Sequence, residues 1–274
     1  MCLVKIYKLR YAIKKKIAGG TRKLTIDMKY FNVYYFCHLA NESMGKFEYA
    51  TNYGIFVEQE FAVEPEEFPK VSVLRQFCYW LVERIIWEQV SLISNEDKNY
   101  DFDPVSWVCQ AIKKYRDIDV DGLFEQICAE DKEEADFEEL FNVFVEKLDD
   151  LYCNVIWDIA TEIEYILFQN REFLVRFNET MASAFEDNNR KRIYVPEWVK
   201  RAVLFRDRGC CVFCKKDLTG IYTLLDDREK QFDHIVPLEE GGLNDVCNIQ
   251  LTCQECNQKK HTQSGTSTLY QTAY

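Results

Sequence analysis

The chain has 274 residues and carries 34 Lys and Arg against 46 Asp and Glu, a formal net charge of −12 at pH 7. Hydrophobic residues make up 47% of it and aromatic residues 15%, which excludes an intrinsically disordered protein. No run of about 18 uncharged apolar residues occurs, so the sequence predicts no transmembrane helix. Twelve cysteines without a visible secretory signal favour reduced thiols or bound metal, and we expect a cytoplasmic protein.

The charge is distributed in three blocks of different sign. Residues 1–30 contain nine Lys or Arg and one Asp, residues 31–189 contain twelve against 34 acidic residues, and residues 190–274 contain thirteen against eleven. The acidic middle block is excluded as a general polyanion-binding surface, because phosphate contacts need Lys and Arg. Any nucleic-acid chemistry is therefore expected at the two ends of the chain.

The N-terminal part has a mixed pattern. Its basic start fits a solvated strand or arm, a DNA-gripping arm or a mitochondrial presequence, and the sequence leaves these three open. Short aromatic and β-branched runs at 30–36 and 54–63 predict a small sheet or hairpins.

The acidic middle is predicted to be helical. Apolar residues recur three or four apart over 71–94, Asp103 and Pro104 are typical of a helix start, and 121–122 begins a further short helix. A longer pattern of the same period covers 137–167 and predicts one helix of about eight turns. This helix is interpreted as a core helix, with a dimerising or partner-binding helix as the alternative.

A predicted hinge at 188–192 divides the chain into two predicted domains. Residues 1–189 form an acidic, mainly helical domain with a small β portion, expected to regulate, to bind a protein partner or to form a homodimer through residues 31–189. Residues 190–274 form a second module, which opens with a basic helix after Pro196 and ends in a frayed tail from residue 262.

Two C-x-x-C pairs indicate a metal site in the second module: Cys211, Cys214, Cys253 and Cys256. The two-residue spacing lets both thiolates of a pair reach one ion, and two pairs complete a tetrahedral site. Such a closed site has no open position for substrate, so we expect a structural Zn²⁺. Cys210 and Cys247 lie outside the pattern.

The residues around these pairs carry a motif: Asp233-His234-Ile235-Val236-Pro237-Leu238, then Gly241-Gly242, Asn248, and Asn257 with Lys260 and His261. Over about residues 196–262 the chain resembles the HNH endonucleases of the ββα-metal superfamily. The resemblance implies an α+β fold in which a zinc-stapled ββα-metal nuclease domain follows the helical one. We find no such resemblance for residues 1–189.

The residue types suit phosphodiester hydrolysis. The alternation around Asp233 and His234 predicts a strand that directs the two side chains to opposite faces. An imidazole accepts a proton from water near neutral pH, and a divalent cation stabilises charge on the leaving oxygen.

The resemblance assigns roles to individual residues. His234 would be the general base, and Asp233 and Asn257 would bind one Mg²⁺ or Mn²⁺, with His261 as a further ligand. Asn248 would fix the loop and orient the imidazole, and Lys260 would contact phosphate. His38 lies outside the motif and is interpreted as structural.

We therefore expect a metal-dependent endonuclease that cleaves DNA, with RNA a less favoured substrate. The alternatives are an RNA-cleaving nuclease or a zinc ribbon that binds nucleic acid without cutting it. The fusion of a helical domain to this module also suggests, by analogy, an effector of a bacterial defence or mobile-element system.

Overall fold

The structure is a computed structural model that describes residues 27–44, 66–131, 135–185, 190–220, 229–261 and 263–267. The basic start before residue 27, the predicted strand at 54–63 and the first hinge residues therefore lie outside the described residues. The chain divides into two compact units. Unit 1 comprises residues 1–36 and 78–163, and unit 2 comprises residues 37–77 and 164–274.

The described residues are mainly helical and include one antiparallel pair of strands. The helices are α1 (Val33–Ser43), α2 (Val73–Ser94), α3 (Pro104–Arg116), α4 (Leu123–Glu130), α5 (Phe137–Leu148), α6 (Asp150–Gln169), α7 (Arg171–Ala184), α8 (Glu197–Arg206) and α9 (Gln254–Lys260). The strands are β1 (Lys230–His234) and β2 (Ile249–Cys253), and short 3₁₀ turns cover Leu238–Glu240 and Val246–Asn248. The predicted α+β class is confirmed. Within the described ranges, no helix has the length and apolarity needed to cross a bilayer.

Unit 1 has an aromatic core centred on Trp107 of α3. The indole ring lies within 6 Å of the rings of Phe31, Phe36 and Phe102. The helix begins as the sequence predicts, because the Asp103 carboxylate accepts a hydrogen bond of 2.6 Å from the Ser106 amide and Pro104 occupies the first turn. This cap fixes the direction in which α3 enters the core.

The strand predicted at 30–36 is wrong, since Val33–Ser43 is a helix. Val33, Phe36 and Cys37 are buried, and so is Ala40 one turn later. Their spacing of three or four places them on one helical face, and the burial of that face outweighs the β propensity of single aromatic and β-branched residues.

The single long helix predicted over 137–167 is also wrong, because it is two helices separated at Asp149. This residue has φ 45° and ψ −124°, which ends α5, and α6 starts at Asp150. Asp side chains compete for backbone hydrogen bonds and favour helix ends. The apolar stripe itself is buried, including Phe144, Ile159 and Ile163, which supports the core interpretation of the pattern over the dimerising one.

Unit 2 contains a β-hairpin followed by a helix, and α8 is attached to it by a buried ion pair. β1 pairs with β2 so that His234 is opposite Ile249 and Lys230 is opposite Cys253. The Arg206 guanidinium donates two hydrogen bonds of 2.9 Å to the Asp207 carboxylate and one of 2.6 Å to the Ile249 carbonyl. Asp207 also accepts a hydrogen bond from the Leu251 amide. The pair therefore satisfies backbone groups of β2 from the end of α8.

Residues on the N-terminal side of the predicted hinge contact the loop before β2. The Phe68 amide donates to the Asn244 carbonyl at 2.7 Å, and the Asn178 side chain of α7 donates to the Cys247 carbonyl at 3.0 Å. Unit 2 thus includes both residues 190–274 and helical segments that precede them. Whether residues 190–274 act as a module of their own stays a prediction.

Candidate active site and metal centre

The four cysteines of the two C-x-x-C pairs come together in unit 2. The sulfur atoms of Cys211, Cys214, Cys253 and Cys256 all lie within 4.8 Å of one another, and those of Cys214 and Cys253 are 3.7 Å apart. Zn–S bonds of about 2.3 Å place the sulfurs of a tetrahedral site about 3.8 Å apart. The cluster therefore fits one Zn²⁺ held by four thiolates.

Backbone hydrogen bonds fix the two cysteine pairs relative to the sheet. The Val212 amide donates to the Leu251 carbonyl at 2.9 Å, which joins the first pair to β2. Cys253 is the last residue of β2 and the N-cap of α9, where its sulfur accepts the Cys256 amide at 3.5 Å. A bound ion would therefore tie the segment after α8 to the start of α9.

Asp233 and His234 occupy the end of β1, as the motif predicts, and Lys260 of α9 lies against both. The Lys260 ammonium is 3.0 Å from the Asp233 carboxylate and donates to the His234 carbonyl at 2.7 Å. Its side chain is only 5% exposed. In this position Lys260 joins α9 to β1 inside the fold, and the phosphate contact that the resemblance implies for it stays a prediction.

The His234 imidazole is held by Asn244, a residue that the sequence interpretation missed. His234 Nε2 lies 2.9 Å from Asn244 Oδ1, and Asn244 Nδ2 donates to the Lys191 carbonyl at 3.0 Å. The Lys191 carbonyl can only accept a hydrogen bond, so it must face the NH₂ group of the Asn244 side chain. The side-chain oxygen of Asn244 therefore faces the His234 ring. Nε2 therefore carries the proton and Nδ1 keeps its lone pair.

The electrostatic surroundings of His234 keep its ring neutral. Burial lowers the pKa of the imidazole below its usual value, because the charged form loses hydration. The hydrogen bond to Asn244 and the Asp233 carboxylate oppose this shift, whereas the charges of Arg192 and Lys260 add to it. A neutral imidazole with a lone pair on Nδ1 can accept a proton.

Asn248 is completely buried and closes the loop between β1 and β2. Its side-chain oxygen accepts the Val236 amide, and its side-chain nitrogen donates to the Val236 and Leu243 carbonyls, each at 2.9 Å. A Cβ atom at Gly242 would lie 2.8 Å from the Asn248 side-chain nitrogen and 2.0 Å from the Val236 carbonyl, so this position requires glycine. These hydrogen bonds hold the loop, and the residue in contact with the imidazole is Asn244. The catalytic role that the resemblance implies for Asn248 stays a prediction.

Asp245 braces the same loop from its other side. One carboxylate oxygen accepts the Cys247 amide at 2.8 Å, and the other accepts the Val73 amide at the start of α2 at 2.9 Å. Burial raises the pKa of this carboxyl to about 6. The sequence signal for both Asn244 and Asp245 was present, because Asn and Asp after a Gly-Gly pair are typical loop-capping residues.

The remaining predicted ligands lie on α9. Asn257 is in the middle of this helix. His261 is its exposed C-cap with φ 50°, so its imidazole is attached after the last regular helical turn. Among the described residues, the four cysteines form the only group of three or more His, Cys, Asp or Glu placed to share an ion. The roles of Asn257 and His261 therefore stay predictions.

The donors at the end of β1 nevertheless fit a hard divalent cation. Asp233 has a carboxylate oxygen there and Asn257, on α9, has an amide oxygen, and both are of the kind that Mg²⁺ takes in proteins together with water and substrate phosphate. That these two residues share an ion stays a prediction. The ion pair with Lys260 shows that Asp233 already faces a positive charge in this fold.

Comparison with known families agrees with this geometry. Residues 211–263 match the family model described as HNH endonuclease. The chain therefore carries, in its C-terminal part, an HNH domain of the ββα-metal nuclease type with a four-cysteine cluster consistent with the zinc-stapled subtype. Searches of curated proteins and of solved structures found no match to the chain.

The first prediction concerns the zinc site. We expect one tightly bound Zn²⁺ per chain, and Cys214→Ser should lose it and destabilise unit 2, because the binding free energy of a structural zinc is folding free energy. Cys210→Ser is the matched control, since the Cys210 sulfur lies outside the cluster and donates to the Arg208 carbonyl. Elemental analysis and thermal unfolding measure both effects. Equal zinc content in the two variants would contradict the assignment.

A second prediction concerns the tautomer of His234. In the wild type, ¹⁵N NMR should show a protonated Nε2 and an unprotonated Nδ1. Asn244→Ala removes the acceptor and should mix the two tautomers, whereas Asn244→Asp keeps an acceptor and should preserve Nε2–H. An unchanged ring-nitrogen spectrum in Asn244→Ala would show that Asn244 does not set the tautomer.

Proposed function

We propose that this protein is a metal-dependent endonuclease that hydrolyses phosphodiester bonds of DNA. The observation that carries the proposal is His234 at the end of β1, with Nε2 bound to Asn244 and Asp233 beside it in the chain. These groups lie in a ββα hairpin that matches the HNH model. The family resemblance favours DNA over RNA as the substrate.

In the proposed mechanism His234 takes the proton of the attacking water. Asn244 holds the ring through Nε2, so Nδ1 is the nitrogen that receives this proton. The resulting imidazolium is stabilised by Asn244 and by the Asp233 charge, both of which favour the protonated ring. General-base assistance of this kind typically accelerates a reaction by about 10²–10⁴-fold.

Asp233 and Asn257 would hold the divalent cation. When bound, such an ion neutralises charge on the phosphate and on the leaving 3′ oxygen. The chain's own contribution is to keep Asp233 in place, through Lys260 at 3.0 Å and the Gln250 side chain at 3.3 Å. Binding of the cation would compete with Lys260 for the same carboxylate.

The alternative is a zinc ribbon that binds nucleic acid without cutting it. A binding module needs the four cysteines and the sheet, but it does not need a buried histidine whose tautomer is set by a hydrogen bond. His234 is 8% exposed and carries a dedicated hydrogen-bond partner, which favours the enzyme. Assays on DNA and RNA side by side distinguish the two possible nucleic-acid substrates.

The role of residues 31–189 stays a prediction, whether as a partner-binding, dimerising or restraining domain. Two contacts support an influence on the nuclease: the Val73 amide bound to Asp245 and the Asn178 side chain bound to the Cys247 carbonyl. Through them, residues that precede the hinge contact the loop that holds His234. The proposed effector role in defence or in a mobile element has no further support in the structure.

The decisive experiment is cleavage of supercoiled plasmid by purified protein with Mg²⁺, Mn²⁺ or EDTA. Wild-type protein should nick the plasmid only with a divalent cation, and His234→Ala should lose at least about 10²-fold in rate while keeping its zinc, because it removes the base and no zinc ligand. His38→Ala, an exposed histidine on α1, is the control and should retain full activity. Comparable nicking by His234→Ala and wild type would refute the mechanism.

A further inference from the structure

Positive charge in the C-terminal part is concentrated in one stretch of sequence. Residues 190–208, here called the basic strip, contain seven Lys or Arg and two acidic residues, although residues 190–274 as a whole are nearly balanced. Arg206 and Asp207 neutralise each other in the interior, and Glu197 is paired with Lys200. The exposed cations of the basic strip are Lys191, Arg192, Arg201 and Arg208.

One end of the basic strip lies beside the candidate general base. The Lys191 carbonyl accepts from Asn244 Nδ2 at 3.0 Å, and the other end of the same amide lies 2.9 Å from His234 Nε2. Two hydrogen bonds therefore join the backbone at Lys191 to the imidazole. Arg192 is the next residue, and it is exposed.

The other end of the basic strip is the outer face of α8. Arg201 and Phe205 are four residues apart and therefore lie on one side of α8, while Val199 and Val203 face the core. Arg208 follows after the helix has ended, with φ 55°. Phe205 is 82% exposed, the largest exposure among the large hydrophobic side chains that the structure describes. An exposed aromatic ring one helical turn from a guanidinium group suits stacking on an unpaired base next to a phosphate contact.

The lysine to which the resemblance gives the phosphate contact is poorly placed for it. The Lys260 ammonium is buried and bound to Asp233 and to the His234 carbonyl. A phosphate next to His234 therefore needs another cation, and Arg192 is an exposed one in the adjoining segment.

We propose that the basic strip is the nucleic-acid-binding surface of this protein. Lys191 and Arg192 bind the backbone phosphate at the bond that is cut. Arg201 and Phe205 on α8, together with Arg208 beyond the end of this helix, bind flanking nucleotides. The proposal rests on the proposed nuclease function and adds to it the surface by which the substrate is held. This surface would let a chain with a net charge of −12 bind a polyanion through a local group of cations.

The test is binding of a fluorescent DNA duplex, followed by anisotropy over a series of NaCl concentrations. Full-length protein carrying His234→Ala is used without added divalent metal, so that no cleavage occurs. Arg192→Gln and Arg201→Gln are each expected to weaken binding and to lower the slope of log affinity against log salt by about 1, the loss of one phosphate contact. For a single-stranded oligonucleotide measured in the same way, Phe205→Ala should weaken binding roughly tenfold with little change of slope, because stacking on an unpaired base is not electrostatic.

Arg84→Gln is the matched control. Arg84 is an exposed arginine beside the Trp80 ring on α2, outside the basic strip, and its loss should leave affinity and slope unchanged. If the three strip variants behave like Arg84→Gln, or if the parent protein does not bind the duplex, the proposal is overturned. If the surface instead binds a protein partner or a second copy, Phe205→Ala would leave DNA binding unchanged. Its mass in sedimentation would then differ from that of the parent protein.

The outcome is separable from that of the nuclease proposal. In parallel, cleavage with Mg²⁺ is measured for proteins that carry the same substitutions and keep the native His234. Salt-dependent binding through the basic strip without cleavage by any protein would support the surface and refute the nuclease. Cleavage by Arg192→Gln and Arg201→Gln at unchanged KM and kcat would support the nuclease and refute the surface.

Discussion

The candidate site depends on the buried side chain of Asn248. Its three hydrogen bonds hold residues 236 and 243 together, and so close the loop that leads from β1 to β2. A hydrogen bond contributes only about 1 kcal/mol net, but each buried backbone group left without its partner costs about 1–3 kcal/mol. Loss of Asn248 would leave three such groups at one place. The loop is therefore fixed in one conformation, and Asn244 within it reaches the His234 ring.

The same loop is braced by residues far away in the sequence. Asp245 binds the Val73 amide, and Asn178 binds the Cys247 carbonyl. These contacts explain why the units defined by packing do not follow the division predicted from composition and charge. The nuclease motif has its own sheet, helix and cysteine cluster, but the loop that aligns its histidine also uses backbone and side-chain groups of α2 and α7.

Local signals in the sequence predicted the parts of the molecule that short-range chemistry determines. The Asp103 cap, the strand carrying Asp233 and His234, and the four-cysteine cluster were all predicted because each depends on residues a few positions apart or on a strict spacing. The helix at Val33–Ser43 was not, since burial of one helical face decides it. The break at Asp149 was not predicted either, because the apolar period continues across it. Asn244 was missed because its partners, His234 and the Lys191 carbonyl, meet it only in the folded chain.

In the proposed mechanism the loop closed by Asn248 aligns His234 for cleavage. Plasmid nicking by Asn248→Ala, compared with wild type at equal zinc content, tests it most directly. Asn142→Ala is the control, because Asn142 is exposed on α5 and its side chain donates to the Glu138 carbonyl one turn earlier in the same helix. The account predicts that Asn248→Ala binds zinc but nicks at least about tenfold more slowly, in line with the loss of a positioned general base. Nicking at the wild-type rate by Asn248→Ala would contradict it.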